Sequence, residues 1–205
     1  MQSLYSFIVT PLKNRRYDNI KYYDDKRFFT SVSEEDHTVS NRFAKVVELP
    51  KNYNGEVKVG DTLLVHHNVF KYYNDIYGRQ KSGRSWLIDD LFLVDHEQFF
   101  LYKQHDKWYS HGKYCFVKPI PKTKSFIDAA GVTNEPLHGI IKYSNKQLEE
   151  LGIFEGDLVS FQPNSEYVFY VEDEELYRMY TNNITIKYNL SAANLSSGSG
   201  LIIFL

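Results

Sequence analysis

The sequence predicts an all-β chain built as two similar halves, and three observations predict it. The chain holds 17 Tyr, 14 Phe and 2 Trp among 205 residues while alanine is scarce. Aromatic and β-branched residues suit a pleated, half-buried surface better than a helix. Its apolar segments are short and bounded by turn residues, as strands are. Several of these segments also recur in the same order, the mark of an internal repeat.

The repeat runs as follows. Phe7-Ile8-Val9-Thr10-Pro11-Leu12 is answered by Phe116-Val117-Lys118-Pro119-Ile120, and Phe43-Ala44-Lys45-Val46-Val47 by His138-Gly139-Ile140-Ile141-Lys142. Val57-Lys58-Val59-Gly60-Asp61-Thr62-Leu63-Leu64-Val65 matches Gly152-Ile153-Phe154-Glu155-Gly156-Asp157-Leu158-Val159-Ser160-Phe161. Asn68 and Asn164 follow their Gly-Asp pairs at equal distance, and Asp89-Asp90-Leu91-Phe92-Leu93-Val94 is answered by Glu174-Glu175-Leu176-Tyr177-Arg178-Met179. The offset between copies falls along the chain, so copy one carries the longer loops, where insertions are tolerated.

Each matched segment reads as a strand. Gly60-Asp61 and Gly156-Asp157 precede strands, where glycine takes a positive φ at little cost. One helical turn is predicted at 145–151, capped by Ser144 or Asn145 and stopped by Gly152. About five strands per hundred residues with long hairpins predict a small closed or nearly closed barrel in each half. The boundaries read as barrel 1 over residues 1–110, barrel 2 over 111–190, and a Ser/Gly linker with an apolar tail over 191–205.

Composition excludes several classes. With 24 Lys+Arg against 26 Asp+Glu the formal charge is −2, which argues against a general nucleic-acid binder. No apolar run approaches the roughly 18–20 residues of a membrane span. The first segment places its charges after a short apolar run, the reverse of a secretory signal. A single cysteine, Cys115, offers no intrachain disulfide, so the expected address is cytoplasmic.

Taken together, the V-x-P opening strand, the "(I/V)-x-x-G-D-x-(V/L)-x-(F/V)" segment and the closing acidic-acidic-apolar segment resemble the chaperonin-10 (GroES-type) co-chaperonin family. Copy two carries the resemblance through HGIIKYSNKQLEELGIFEGDLVSFQPNSEYVFYVEDEELYRMY, copy one through RFAKVVELP, VKVGDTLLVHHN and DDLFLV. The resemblance covers about three-quarters of the chain. It implies two GroES-like β-barrels in tandem, no enzymatic activity, no cofactor, homo-oligomerisation and docking on a chaperonin ring. Family members dock through an apolar tripeptide on a mobile loop after the first strand.

The corresponding loops here are about 13–41 and 121–137, and neither has a Gly-Gly-Ile-Val-Leu motif. Their most apolar spots are Phe28-Phe29 in the first and Phe126-Ile127 in the second. The alternative is that these pairs pack on their own barrels. The Ser/Gly-rich stretch 194–200 reads as a flexible linker and delivers Leu201-Ile202-Ile203-Phe204-Leu205. This pentapeptide resembles the family's docking tripeptide; the alternative is a last strand tucked into a neighbouring barrel. Burying three such side chains yields about 1.5–3 kcal/mol each, and ordering five residues takes back about 1–2 kcal/mol apiece. One tail therefore binds weakly, and several on one ring bind firmly.

Rival chemistry finds little support. His66 and His67 are adjacent and in a strand would face opposite ways. His111 and Cys115 lie four apart, which suits a metal only on a helix that Gly112 disfavours, and no C-x-x-C or H-x-x-x-H with a partner pair is present. His111 and Cys115 lack a third residue to orient a base, and phosphate loops and hydrolase elbows are absent. The run Glu172–Glu175 reads as a solvated turn or hairpin edge. Basic and tyrosine residues alternate over 13–27, but Asp18, Asp24 and Asp25 cut their charge. The long loop Tyr77 to Arg84 has the composition of an interaction surface. A structural or assembly protein, for example of a phage particle, that reuses the barrel is the second reading, favoured by AT-rich composition and divergent copies.

Overall fold

Half-buried alternation along short segments organises the chain into antiparallel pairs. The computed structural model describes residues 2–17, 20–23, 26–29, 39–122 and 134–189, and the chain divides into two units, 1–111 and 112–205. Unit 1 contains β1 (Phe7–Pro11), β2 (Ile20–Tyr23), β3 (Lys26–Phe29), β4 (Phe43–Glu48), β5 (Thr62–Val65), β6 (Tyr72–Asn74), β7 (Gln80–Ser82), β8 (Trp86–Ile88), β9 (Leu91–Val94), β10 (Phe99–Gln104) and β11 (Lys107–Ser110). Seven of these form one sheet in the order β11-β10-β5-β4-β1-β9-β8, and β2-β3 and β6-β7 are separate two-stranded ribbons. Residues two apart share a face, so Phe7 and Val9, Ala44 and Val46, Leu63 and Val65, and Phe92 and Val94 enter one core with Phe99 and Tyr102.

Unit 2 contains β12 (Tyr114–Pro121), β13 (Asn134–Tyr143), the short helix α1 (Lys146–Glu150), β14 (Leu158–Phe161), β15 (Tyr167–Val171), β16 (Glu174–Tyr180) and β17 (Ile184–Tyr188). Its sheet runs β15-β16-β12-β13-β14-β17. Cys115, Val117, Ile141, Leu148, Val159, Phe161 and Met179 form its core.

Six strands of each sheet share one order, β11 being the extra strand of unit 1, and the central strands share their register. Val9 opposes Val46 and Phe92 as Val117 opposes Ile141 and Tyr177. A register shift falls between Ile8 and Val9 in one and between Phe116 and Val117 in the other. Further out, Phe99 and Leu101 straddle an irregularity opposite Val65 and Leu64, as Ile184 and Ile186 do opposite Phe161 and Ser160. A β-bulge is a specific local device, and both units place two of them at matching points.

The Gly-Asp turns match bond for bond. Gly60 (φ +93°) donates to the Val46 carbonyl at 2.9 Å, and Gly156 (φ +90°) to Ile141 at 2.8 Å. In return Val46 and Ile141 donate to the Asp61 and Asp157 carbonyls, each at 2.9 Å. The positive φ is what requires glycine here. Helix α1 begins where expected: Asn145 is the N-cap, its side chain accepting from Leu148 N, and Gly152 follows the helix at φ +74°.

Closure of each sheet is not observed. Among the described residues β8, β11, β15 and β17 are edges with one partner strand each, so both sheets are open rather than closed barrels. No helix of the described residues is long and apolar enough to cross a membrane.

Candidate interaction surfaces

In both units the segment singled out for docking connects the same two central strands. Residues 12–42 join β1 to β4, and 122–133 join β12 to β13. Phe28 and Phe29 lie on β3, whose backbone pairs with Lys21 and Ile20 of β2; their side chains fall outside the described residues. Phe126, Ile127 and the pentapeptide Leu201, Ile202, Ile203, Phe204 and Leu205 also lie outside the described residues.

The bases of both connections are tied down by polar side chains that local periodicity does not reveal. In unit 1, buried Asn41 donates from Nδ2 to the carbonyls of Leu12 (3.0 Å) and Arg15 (2.6 Å), and its Oδ1 accepts from Phe43 N. Arg16 donates to the Phe70 carbonyl at 2.7 Å and to Ser82 Oγ at 3.0 Å, with its guanidinium 3.5 Å from the Tyr72 ring centre. A half-buried guanidinium stacked on an aromatic face fastens the chain here. Tyr17 and Ser40 form a bridge just inside this clamp.

In unit 2, Pro121 opposes Asn134 at the mouth of the connection, and Asn134 Nδ2 donates to Tyr177 Oη at 2.9 Å. Glu174 sits below, paired with Lys118 Nζ at 2.6 Å and Lys142 Nζ at 2.7 Å. Hydrogen bonds from Lys118 and then Lys142 hold its carboxyl below the usual glutamate value. The run 172–175 is thus divided. Glu172 and Asp173 make the turn at positive φ, while Glu174 and Glu175 are half-buried on β16 and bonded across the sheet.

Exposed apolar groups gather at a few places. Ile76 (91% exposed) and Tyr77 (76%) occupy the tip of the β6-β7 ribbon, with Tyr73 below them. The stretch read as a loop from Tyr77 to Arg84 contains β7, paired to β6 through Tyr73↔Lys81. In unit 2, Leu151 and Phe154 flank the end of α1 in the open.

His66, His67, His111 and Cys115 make packing contacts. His66 and His67 follow β5 rather than lie in it, and their ring centres are 4.1 Å apart; the opposite-face argument fails because the strand ends at Val65. No group of three or more His, Cys, Asp or Glu side chains able to hold a metal occurs among the described residues. Cys115 is fully buried, and burial pushes its thiol up to about 12, so it stays protonated at neutral pH. His111 lies 3.9 Å from Phe99, ring centre to ring centre. Burial first, and the neighbouring His96 second, lower its pKa to about 4. It is a neutral packing group at pH 7.

No protein-family model matches the chain, and no curated protein matches its sequence.

Proposed function

We propose that the chain is a non-enzymatic, co-chaperonin-type docking protein made of two GroES-like modules in tandem. It acts in the cytoplasm of a bacterial cell or phage-infected host and assembles into a homo-oligomer. The observation that carries this reading is the shared register of the central strands of the two sheets, with a long connection between the same two strands in each. That connection is where a docking loop of the family would leave the module, and its base is clamped by Asn41 and Arg16 in unit 1 and by Asn134 in unit 2. A fixed base under a docking segment suits capture of a partner, because the sheet need not reorganise to bind. Phe28, Phe29, Phe126, Ile127 and residues 201–205 would supply the apolar contacts on a chaperonin rim. Removing residues 196–205 tests the contribution of the tail: chaperonin capture should be lost while the thermal transition of the protein stays in place. A truncated chain that unfolds or loses its own assembly would instead make the tail a structural strand.

One observation favours a second reading. Unit 1 carries the β6-β7 ribbon that unit 2 lacks, and divergence of this kind suits a structural or assembly protein whose modules contact different neighbours. Co-chaperonin action predicts that nucleotide state governs binding; a structural role predicts that it does not.

A further inference from the structure

Between β5 and β8, unit 1 inserts residues 66–85 where unit 2 connects the corresponding strands through residues 162–166. The strands that flank this insertion hold the same places in the sheet order of both units, so the strand order does not need it. The insertion forms the β6-β7 ribbon, closed at its tip by Asp75, whose Oδ1 accepts the Tyr77 and Arg79 N–H groups at 2.9 Å each.

Near-neutral overall charge conceals a local excess. From residue 71 to 84 the cations are Lys71, Arg79, Lys81 and Arg84, and the one carboxylate is the turn-closing Asp75. None of the four cations forms an ion pair among the described residues. Strand alternation puts Lys71, Tyr73 and Lys81 on one face of the ribbon, with Tyr73 directly opposite Lys81. At its base lies a cleft of about 450 Å³ lined by Lys71, Tyr72, Tyr73, Arg84, Asn68 and Gln98, among others; its charged lining is entirely cationic.

We propose that this ribbon and cleft bind single-stranded nucleic acid, with phosphates on Lys71, Lys81 and Arg84 and bases stacked on Tyr73 and Tyr77. Lys71 and Tyr73 stand ~7 Å apart, two strand residues, with Lys81 across the ribbon from Tyr73, which suits a polymer alternating phosphate with flat base. The cleft is the size of a small-ligand pocket and takes one nucleotide. An acidic peptide would answer the charge but leave two exposed tyrosine rings without flat partners. This inference is independent of chaperonin docking.

Fluorescence anisotropy of labelled oligothymidylate and oligouridylate with the full chain tests it. Binding is expected at low salt, weakening roughly 20-fold between about 50 and about 200 mM salt if three phosphates are neutralised. Tyr73→Ala and Tyr77→Ala should each weaken it about tenfold with the salt slope unchanged. Lys71→Gln with Lys81→Gln should flatten the slope. These side chains lie outside the core, and an unchanged circular dichroism spectrum keeps the comparison clean. A flat titration at low salt overturns the proposal. Equal displacement of the strand by a polyglutamate peptide also overturns it, making the ribbon a site for acidic proteins, and tighter binding to duplex than to single strands does so as well.

Discussion

Asp61 and Asp157 close the same turn in the two halves of the chain. Each carboxylate accepts a 2.7 Å hydrogen bond from the backbone N–H three residues earlier, Lys58 in one case and Phe154 in the other. Each also receives a side chain from the last shared strand of its sheet. Gln104 donates to Asp61 at 2.6 Å, and Lys187 pairs with Asp157 at 2.7 Å. Asp61→Ala and Asp157→Ala should each destabilise by about 1–2 kcal/mol, the second more because its partner is charged. Urea unfolding of the two variants measures the difference.

Gly139 marks the tightest approach in unit 2. A Cβ there would meet Val117 Cγ1 and stand 2.8 Å from the Lys118 carbonyl oxygen. The matching position in unit 1 is Ala44, opposite Pro11 as Gly139 is opposite Pro119. Gly139→Ala should cost about 1–3 kcal/mol through overpacking. Ala44→Gly should cost about 0.5–1 kcal/mol through backbone entropy. Thermal melts of both variants read the asymmetry.

Asn145 does more than cap α1. Its Oδ1 accepts from Leu148 N at 2.9 Å while Nδ2 donates to the Tyr114 carbonyl at 2.7 Å and to Thr181 Oγ1 at 2.8 Å. Asn145→Ala should therefore cost about 2–3 kcal/mol, more than an ordinary cap, because a buried carbonyl loses its donor. Asn145→Asp keeps the cap acceptor but turns a carboxylate toward that carbonyl, so it should not rescue. Denaturant midpoints of the two variants decide this.

Acid should weaken the fold in two stages. His111 is kept neutral by burial and by the neighbouring His96 ring, against the opposing effect of a hydrogen bond to the His96 backbone and of Glu56. As pH falls below about 6.5 the unfolded chain takes up that proton first, so stability drops until about pH 4, by up to about 3 kcal/mol. Below that, Glu174 and Asp157 take over. Burial would raise the Asp157 carboxyl, but Lys187 and the Phe154 N–H together hold it low. Stability present above the normal carboxylate range is lost as pH passes down through these lowered values. His111→Phe should remove the first stage and leave the second, as followed by melting temperature against pH.

Local chemistry was the legible part of the chain. The Gly-Asp turns, the α1 cap at Asn145 and the apolar strands β1, β4, β5 and β9 with their counterparts are written in contiguous residues, and their spacing reveals them. Contacts made across distant segments are not written that way. Asn41, Arg16 and the Glu174 lattice act through partners far along the chain, so no window of sequence singles them out. The strands β10 and β17 escape the repeat because a bulge breaks alternation at Phe100 and Thr185. Residues Tyr77 to Arg84 look like loop because β6 and β7 are three residues each, too short for periodicity to register. Whole-chain charge, for its part, averages away the basic ribbon.

Co-migration with a bacterial chaperonin ring in gel filtration, with and without ATP, tests the central claim most directly. The account predicts that the chain moves to the ring's elution position when nucleotide is bound and returns to its own position without it. An elution profile identical in the two nucleotide states would contradict it.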